Sequence, residues 1–195
     1  MSLYCFIGLA ACVIPLFKLA HEFLVIWLDP KVSFVVSRKR IHYDVTSEAY
    51  TTLLRFELRN NGILPTQVCL PNTKNLYRVA RELLPRSLDC WIKKLGIYCG
   101  GEENAGSHII DARQNLLYFE TQIFFDMTPH NALFEDFDEL LLELQEHVGS
   151  ELKVYYTHPW TGRLLRVSHV FGWADWSAQL KQDYKLIFEK LTGRQ

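Results

Sequence analysis

The sequence is short of the features that mark chemistry. It holds no Gly-x-Gly-x-x-Gly, no Gly-x-Ser-x-Gly, no His-Glu-x-x-His and no Cys-x-x-Cys, so the recognisable catalytic and cofactor motifs are absent. Gly101-x-x-x-x-Gly106 has the glycine spacing of a phosphate loop, but Ser107 and His108 stand where its lysine and hydroxyl residue belong. Charge of one sign is lacking too. With Lys+Arg 21 against Asp+Glu 22 and a net charge of −1, the chain has no electrostatic footprint for nucleic acid. There is no Asn-x-Ser/Thr sequon, and no lysine or arginine precedes Lys18.

Of the 5 cysteines, Cys5 and Cys12 fall in an apolar N-terminal stretch, which leaves Cys69, Cys90 and Cys99. If Cys90 to Cys99 is one strand, its ends lie about 30 Å apart, beyond disulfide reach. Thiols without an evident pairing fit a reducing compartment.

What the sequence has is the apolar stretch itself. Leu3 to Phe17 carries no charge, and Leu19, Ala20 and Phe23 to Leu28 continue it past Lys18, His21 and Glu22. Those three polar residues share one helical face, so a helix over residues 3–28 reaches the roughly 20 residues that a bilayer requires. Lys18 snorkels and Trp27 anchors at the interface in that arrangement. A cleaved signal and a buried core helix are the competing readings. The missing basic n-region argues against the first, and Leu9-Ala10-Ala11-Cys12 is a poor lipoprotein box because the apolar run continues beyond it. Lys18 follows the uncharged run Leu3 to Phe17, and Lys31, Arg38, Lys39 and Arg40 follow the whole span, which places the remainder on the cytoplasmic side.

Beyond Pro30 the pattern alternates. Ala49 to Arg59 is the clearest strand, with Leu54, Phe56 and Leu58 on one side and Arg55, Glu57 and Arg59 on the other. Asn60-Asn61-Gly62 ends it, read as a turn tolerating positive φ. Further strands are expected over 31–37, 40–45, 65–70, 88–99 and 115–126, with a loop over 100–107. A final hairpin of 152–157 and 163–170 flanks a turn at His158 to Gly162. Helices are expected over 72–84, with Asn72 or Thr73 as cap, over 134–147, ended by Gly149, and over 175–191. The domain reading is 1–28 anchor, 29–174 β-sandwich and 175–195 docking helix. The fold class is mainly β with α additions, an antiparallel sandwich after a transmembrane helix.

The strand closing in Asn-Asn-Gly-x-x-Pro-Thr (LRFELRNNGILPT), together with the late hairpin LKVYYTHPWTGR behind an N-terminal anchor, resembles bacterial membrane-anchored proteins with an immunoglobulin-like sandwich. The matching stretches are chiefly Tyr50 to Leu70 and Leu152 to Val170. The resemblance implies a fold and a membrane location. It implies no catalytic residue.

Several constellations have residue types that chemistry could use. Glu139, Glu143 and His147 at i, i+4 and i+8 have ligand spacing but no second ligand helix, so a solvated face is the expectation. His158, His169 and Asp175 lack an activated nucleophile, and Cys99 lacks a basic neighbour. Tyr156, His158 and Trp160 form the candidate partner-binding cluster, since Trp and Tyr concentrate in binding hot spots. Trp173 and Trp176 are expected in the core. Arg38, Lys39 and Arg40 are the candidate lipid contact. These residues lead to a non-catalytic, single-pass membrane protein that binds a protein partner, with no cofactor, no metal, no nucleic acid and no evident small-molecule substrate. An immunity or inhibitor protein capturing a toxin, and an enzyme with an unfamiliar site, are the alternatives.

Overall fold

The computed structural model describes residues 13–24, 31–46, 49–85, 92–98, 106–125 and 134–192. Helix α1 covers 13–24, and β1 (Val32–Arg38), β2 (His42–Asp44), β3 (Ala49–Asn60) and β4 (Thr66–Leu70) follow. Next come α2 (Thr73–Glu82), β5 (Ile92–Tyr98), β6 (Gly106–Ile110) and β7 (Asn115–Phe125). The chain continues with α3 (Phe134–Glu146), β8 (Val148–Thr157), β9 (Leu164–Gly172) and α4 (Ala174–Thr192).

The strands make two antiparallel sheets. One has the order β1-β3-β7-β5, with β2 also on β3, and the other has the order β6-β4-β8-β9. The alternation in β3 decides which residues turn inward. Leu54, Phe56 and Leu58 are fully buried, while Arg55 points out to pair with Glu120 at 2.8 Å. Residues of both sheets enter one core cluster. Phe56 of β3 stacks on Phe119 of β7 at a centroid distance of 4.5 Å and meets the edge of Phe171 of β9 at 5.5 Å.

The chain passes from the first sheet to the second at Asn60, and the device there differs from the expected one. Neither asparagine of Asn60-Asn61-Gly62 has positive φ, nor has the glycine. Instead the buried Asn60 amide donates to the carbonyls of Leu64 at 2.7 Å and Ile110 at 3.1 Å, and its oxygen accepts from the Gly62 N–H at 2.9 Å. A side chain that satisfies three backbone groups at once, two of them in buried hydrogen bonds, stabilises the corner without left-handed backbone. Among the described residues, positive φ occurs at Gly106 (125°), at Gly162 (64°) and, in the β6–β7 turn, at Arg113 (60°).

The helices form where local signals place them. Asn72 caps α2, its side-chain oxygen accepting from the Asn75 N–H at 3.0 Å. Phe137, Leu141 and Leu144 of α3 are buried, as are Leu180 and Tyr184 of α4. The two helices meet with Phe137 stacked on Tyr184, and Lys181 bonds Asp138 at 2.7 Å. The expected loop over 100–107 gives way at its end to β6, whose residues 106–110 pair along β4. Gly149, expected to stop α3, is a residue of β8.

Of the expected membrane span, residues 3–12 and 25–28 lie outside the described residues. The described part, α1, has every residue exposed, including Ile14, Leu16, Phe17, Leu19 and Phe23. Among the described residues, no helix is long and apolar enough to cross a membrane. Cys90 and Cys99 also lie outside the description, and Cys69 is a free, exposed thiol.

Candidate functional site

The β8–β9 hairpin is shaped by its turn. The His158 N–H donates to the Arg163 carbonyl and the Gly162 N–H to the His158 carbonyl, each at 2.9 Å, and Gly162 takes φ of 64°. That conformation costs an L side chain roughly 1–2 kcal/mol, which is why glycine stands there. The His158 ring closes the turn from inside: its Nδ1 accepts the N–H groups of Trp160 at 3.2 Å and Thr161 at 3.3 Å.

This arrangement separates the three residues expected to face a partner. Trp160 is 68% exposed at the tip. His158 is only 8% exposed, so it is a buried strut of the turn and not a contact residue. Tyr156 is half-buried and packs against the core. The reason is the two-residue period of the strand. Leu152, Val154 and Tyr156 share the inward face, whereas Lys153 and Tyr155 share the outward one. The tyrosine that faces solvent is Tyr155, 46% exposed, and the alternation in LKVYYT carried that signal.

Register then extends the outward face. Tyr155 lies opposite Arg166 of β9 and Cys69 of β4, and Thr157 lies opposite Leu164, which is exposed. Directly opposed residues in antiparallel strands point the same way, so Tyr155 and Leu164 are diagonal neighbours below the Trp160 turn. At the far end of the same face Lys153 bonds Glu151 at 2.7 Å. The ammonium of Lys153 and the hydroxyl of Ser168 hold the Glu151 carboxyl below the usual carboxylate range.

The expected basic cluster is also divided. The Arg38 side chain is 2% exposed and ion-pairs with Asp183 of α4 at 2.9 Å, which removes it from any lipid-facing patch. β1 points Arg38 to the same side as Val32, Phe34 and Val36, into the domain. Lys39 and Arg40 are exposed.

The remaining sequence candidates stand apart from one another. His169 packs its ring on Phe34 at 5.8 Å, and burial lowers its pKa below the ordinary 6.5. Asp175 is exposed in the first turn of α4. Glu139 and Glu143 are exposed on α3. Among the described residues, no three His, Cys, Asp or Glu side chains gather closely enough to hold a metal ion. Trp173 is fully buried, donating from its indole to the Leu83 carbonyl at 2.7 Å, and Trp176 is partly buried against the core. Compared with known proteins, the chain matches no protein-family model and no curated protein.

Proposed function

We propose that this chain is a membrane-anchored binding protein without catalytic chemistry, whose immunoglobulin-like sandwich presents the β8–β9 turn to a protein partner. The observation that carries the reading is Trp160, held 68% exposed at the tip of a turn fixed from beneath by His158. A large aromatic on a rigid support, with Tyr155 and Leu164 on the strands below, has the composition of an interface hot spot. The aromatic contacts of Phe56 with Phe171 and Phe34 with His169, each joining the two sheets, support the sandwich reading. The exposed apolar side chains of α1 support its reading as part of a membrane segment, and the lysines and arginines that follow it support a cytoplasmic domain. Lys39 and Arg40 then remain for lipid contact, without Arg38.

The experiment is a photo-crosslinker placed at position 160 of the full chain in its native membrane, with the same crosslinker at exposed Lys185 as control. A discrete adduct formed from position 160 and absent from position 185 is the expected result. Equal, diffuse labelling from both positions would remove the turn as an interface.

A further inference from the structure

The two ends of the domain are not equivalent, because the chain enters at one of them. Val32 opens β1 opposite Asn60, and Asn115 opens β7 opposite Arg59, so the entry end also holds the Asn60 corner and the β6–β7 turn. Leu24, the last described residue of α1, stands seven residues before Lys31. That length of chain reaches at most about 25 Å when fully extended. β1 then carries Lys39 and Arg40 away from the entry end by roughly 20 Å.

Hydrogen bonds bind three segments into one surface at the entry end. The Asn61 N–H donates to the Lys31 carbonyl at 2.8 Å, and the Asn60 N–H donates to the Gln114 carbonyl at 3.0 Å. The Asn60 side chain adds the carbonyls of Leu64 and Ile110. Lys31, Arg59 and Arg113 are exposed around this corner, and Ile63 is 43% exposed among them. None of the three cations has an ion pair or a side-chain hydrogen bond among the described residues. Asp111 is the acid of these loops, and Glu57 is already engaged by Asn115 and Arg55. Arg113 stands at φ of 60°, a conformation that glycine adopts at far lower cost. A long cation kept in left-handed backbone at an exposed turn marks a side chain that is used.

We propose that this corner rests on the anionic headgroups of the membrane that α1 enters. Lys31, Arg59 and Arg113 lie against lipid phosphates, and Ile63 dips into the interfacial layer. The proposal rests on the reading of α1 as part of a membrane segment. It makes the corner the primary lipid contact, with Lys39 and Arg40 a more distant one. The Trp160 turn opens at the same end from the other sheet, so its protein partner is met beside the bilayer.

The test floats the full chain with phosphatidylcholine vesicles, with and without phosphatidylserine, and carries a photo-crosslinker at position 63 or at position 39. Lipid adducts, identified by mass, are expected in greater yield from position 63 than from position 39. Phosphatidylserine should raise the yield at position 63 by about fivefold or more, the worth of a single cation at an anionic surface. Arg113→Gly removes the cation together with the backbone strain, so it should lower that yield while the melting temperature holds or rises. Lys31→Glu combined with Arg113→Glu should bring the yield down to its level in phosphatidylcholine alone. A chain that floats with neither vesicle would remove the anchor reading and this proposal with it. A chain that floats would overturn this proposal alone if position 63 gave no lipid adduct or no more than position 39. A yield at position 63 indifferent to phosphatidylserine and to the loss of Arg113 would do the same.

Discussion

Arg38 at the end of β1 and Asp183 in the middle of α4, 145 residues apart in the chain, meet with Nη2 2.9 Å from Oδ2. The same carboxylate oxygen accepts the Ile41 N–H at 3.1 Å, so one side chain fastens the C-terminal helix to both the strand and the loop after it. Arg38 Nε and Nη1 are buried without a hydrogen bond, so among the described residues Asp183 is the charge that offsets the desolvation of this cation.

Asp183→Ala should therefore be among the most damaging single changes. It leaves a buried guanidinium uncompensated and frees the Ile41 N–H, a loss of about 3–5 kcal/mol. A denaturant melt of the variant checks the size. Replacing both partners by apolar residues, as in Arg38→Met with Asp183→Leu, should restore much of the loss, because the desolvation cost leaves with the charge. A double variant as unstable as Asp183→Ala would show that the pair does more than neutralise itself.

Phe56→Ala should cost about 3–5 kcal/mol, since the ring is fully buried between Phe119 and Phe171 and its removal opens a cavity between the sheets. At 2–4 °C per kcal/mol for a chain of this size, the melting temperature should fall by roughly 10 °C. Phe56→Asp should not fold. A folded Phe56→Asp domain would contradict the inward register of β3.

The pH profile should fall at both ends, for two identifiable reasons. Burial pushes the Tyr118 hydroxyl up to about 12 from its ordinary 10. The unfolded chain releases that proton first, so this contribution is intact below pH 10 and is lost as pH rises toward 12. Burial lowers His169, so the unfolded chain takes up its proton first, and stability falls as pH drops below 6.5 through the folded value. Chemical melts of Tyr118→Phe and His169→Leu against pH should show the alkaline and acid limbs flattened in turn. Limbs unchanged in both variants would assign the pH dependence to other groups.

Much of the β architecture could be read from alternation alone. The inward Leu54, Phe56 and Leu58 and the Asn72 cap are local patterns, and the structure follows them. What escaped the sequence is set by distant partners. β6 begins in a loop-like composition and is strand because β4 offers it hydrogen bonds. Gly149 reads as a helix stop, yet its lack of a side chain serves the approach of Leu83 and Phe171. Arg38 reads as one of three surface cations because its partner Asp183 lies in the last helix. The exposure of Trp160 was legible, because Pro159 and Gly162 mark a turn there. The outward face of Tyr155 is written in the two-residue period of LKVYYT, which turns Tyr156 inward.

Trp160→Ala tests the function most directly, because its two consequences separate. The side chain is 68% exposed and only its backbone N–H supports the turn, so the fold should keep its stability to within about 0.5 kcal/mol. Truncating a hot-spot tryptophan typically costs about 2 kcal/mol or more of binding, roughly thirtyfold in affinity. His158→Ala is the informative companion. It removes the acceptor for two turn N–H groups while leaving Trp160 in place, so it should lower both the melt and the affinity. The adduct from position 160 supplies the partner, and titration of that partner against wild type and both variants gives the comparison. Affinity lost in Trp160→Ala with an unchanged melt is the expected outcome. Equal affinity for wild type and Trp160→Ala would move the partner surface away from this turn.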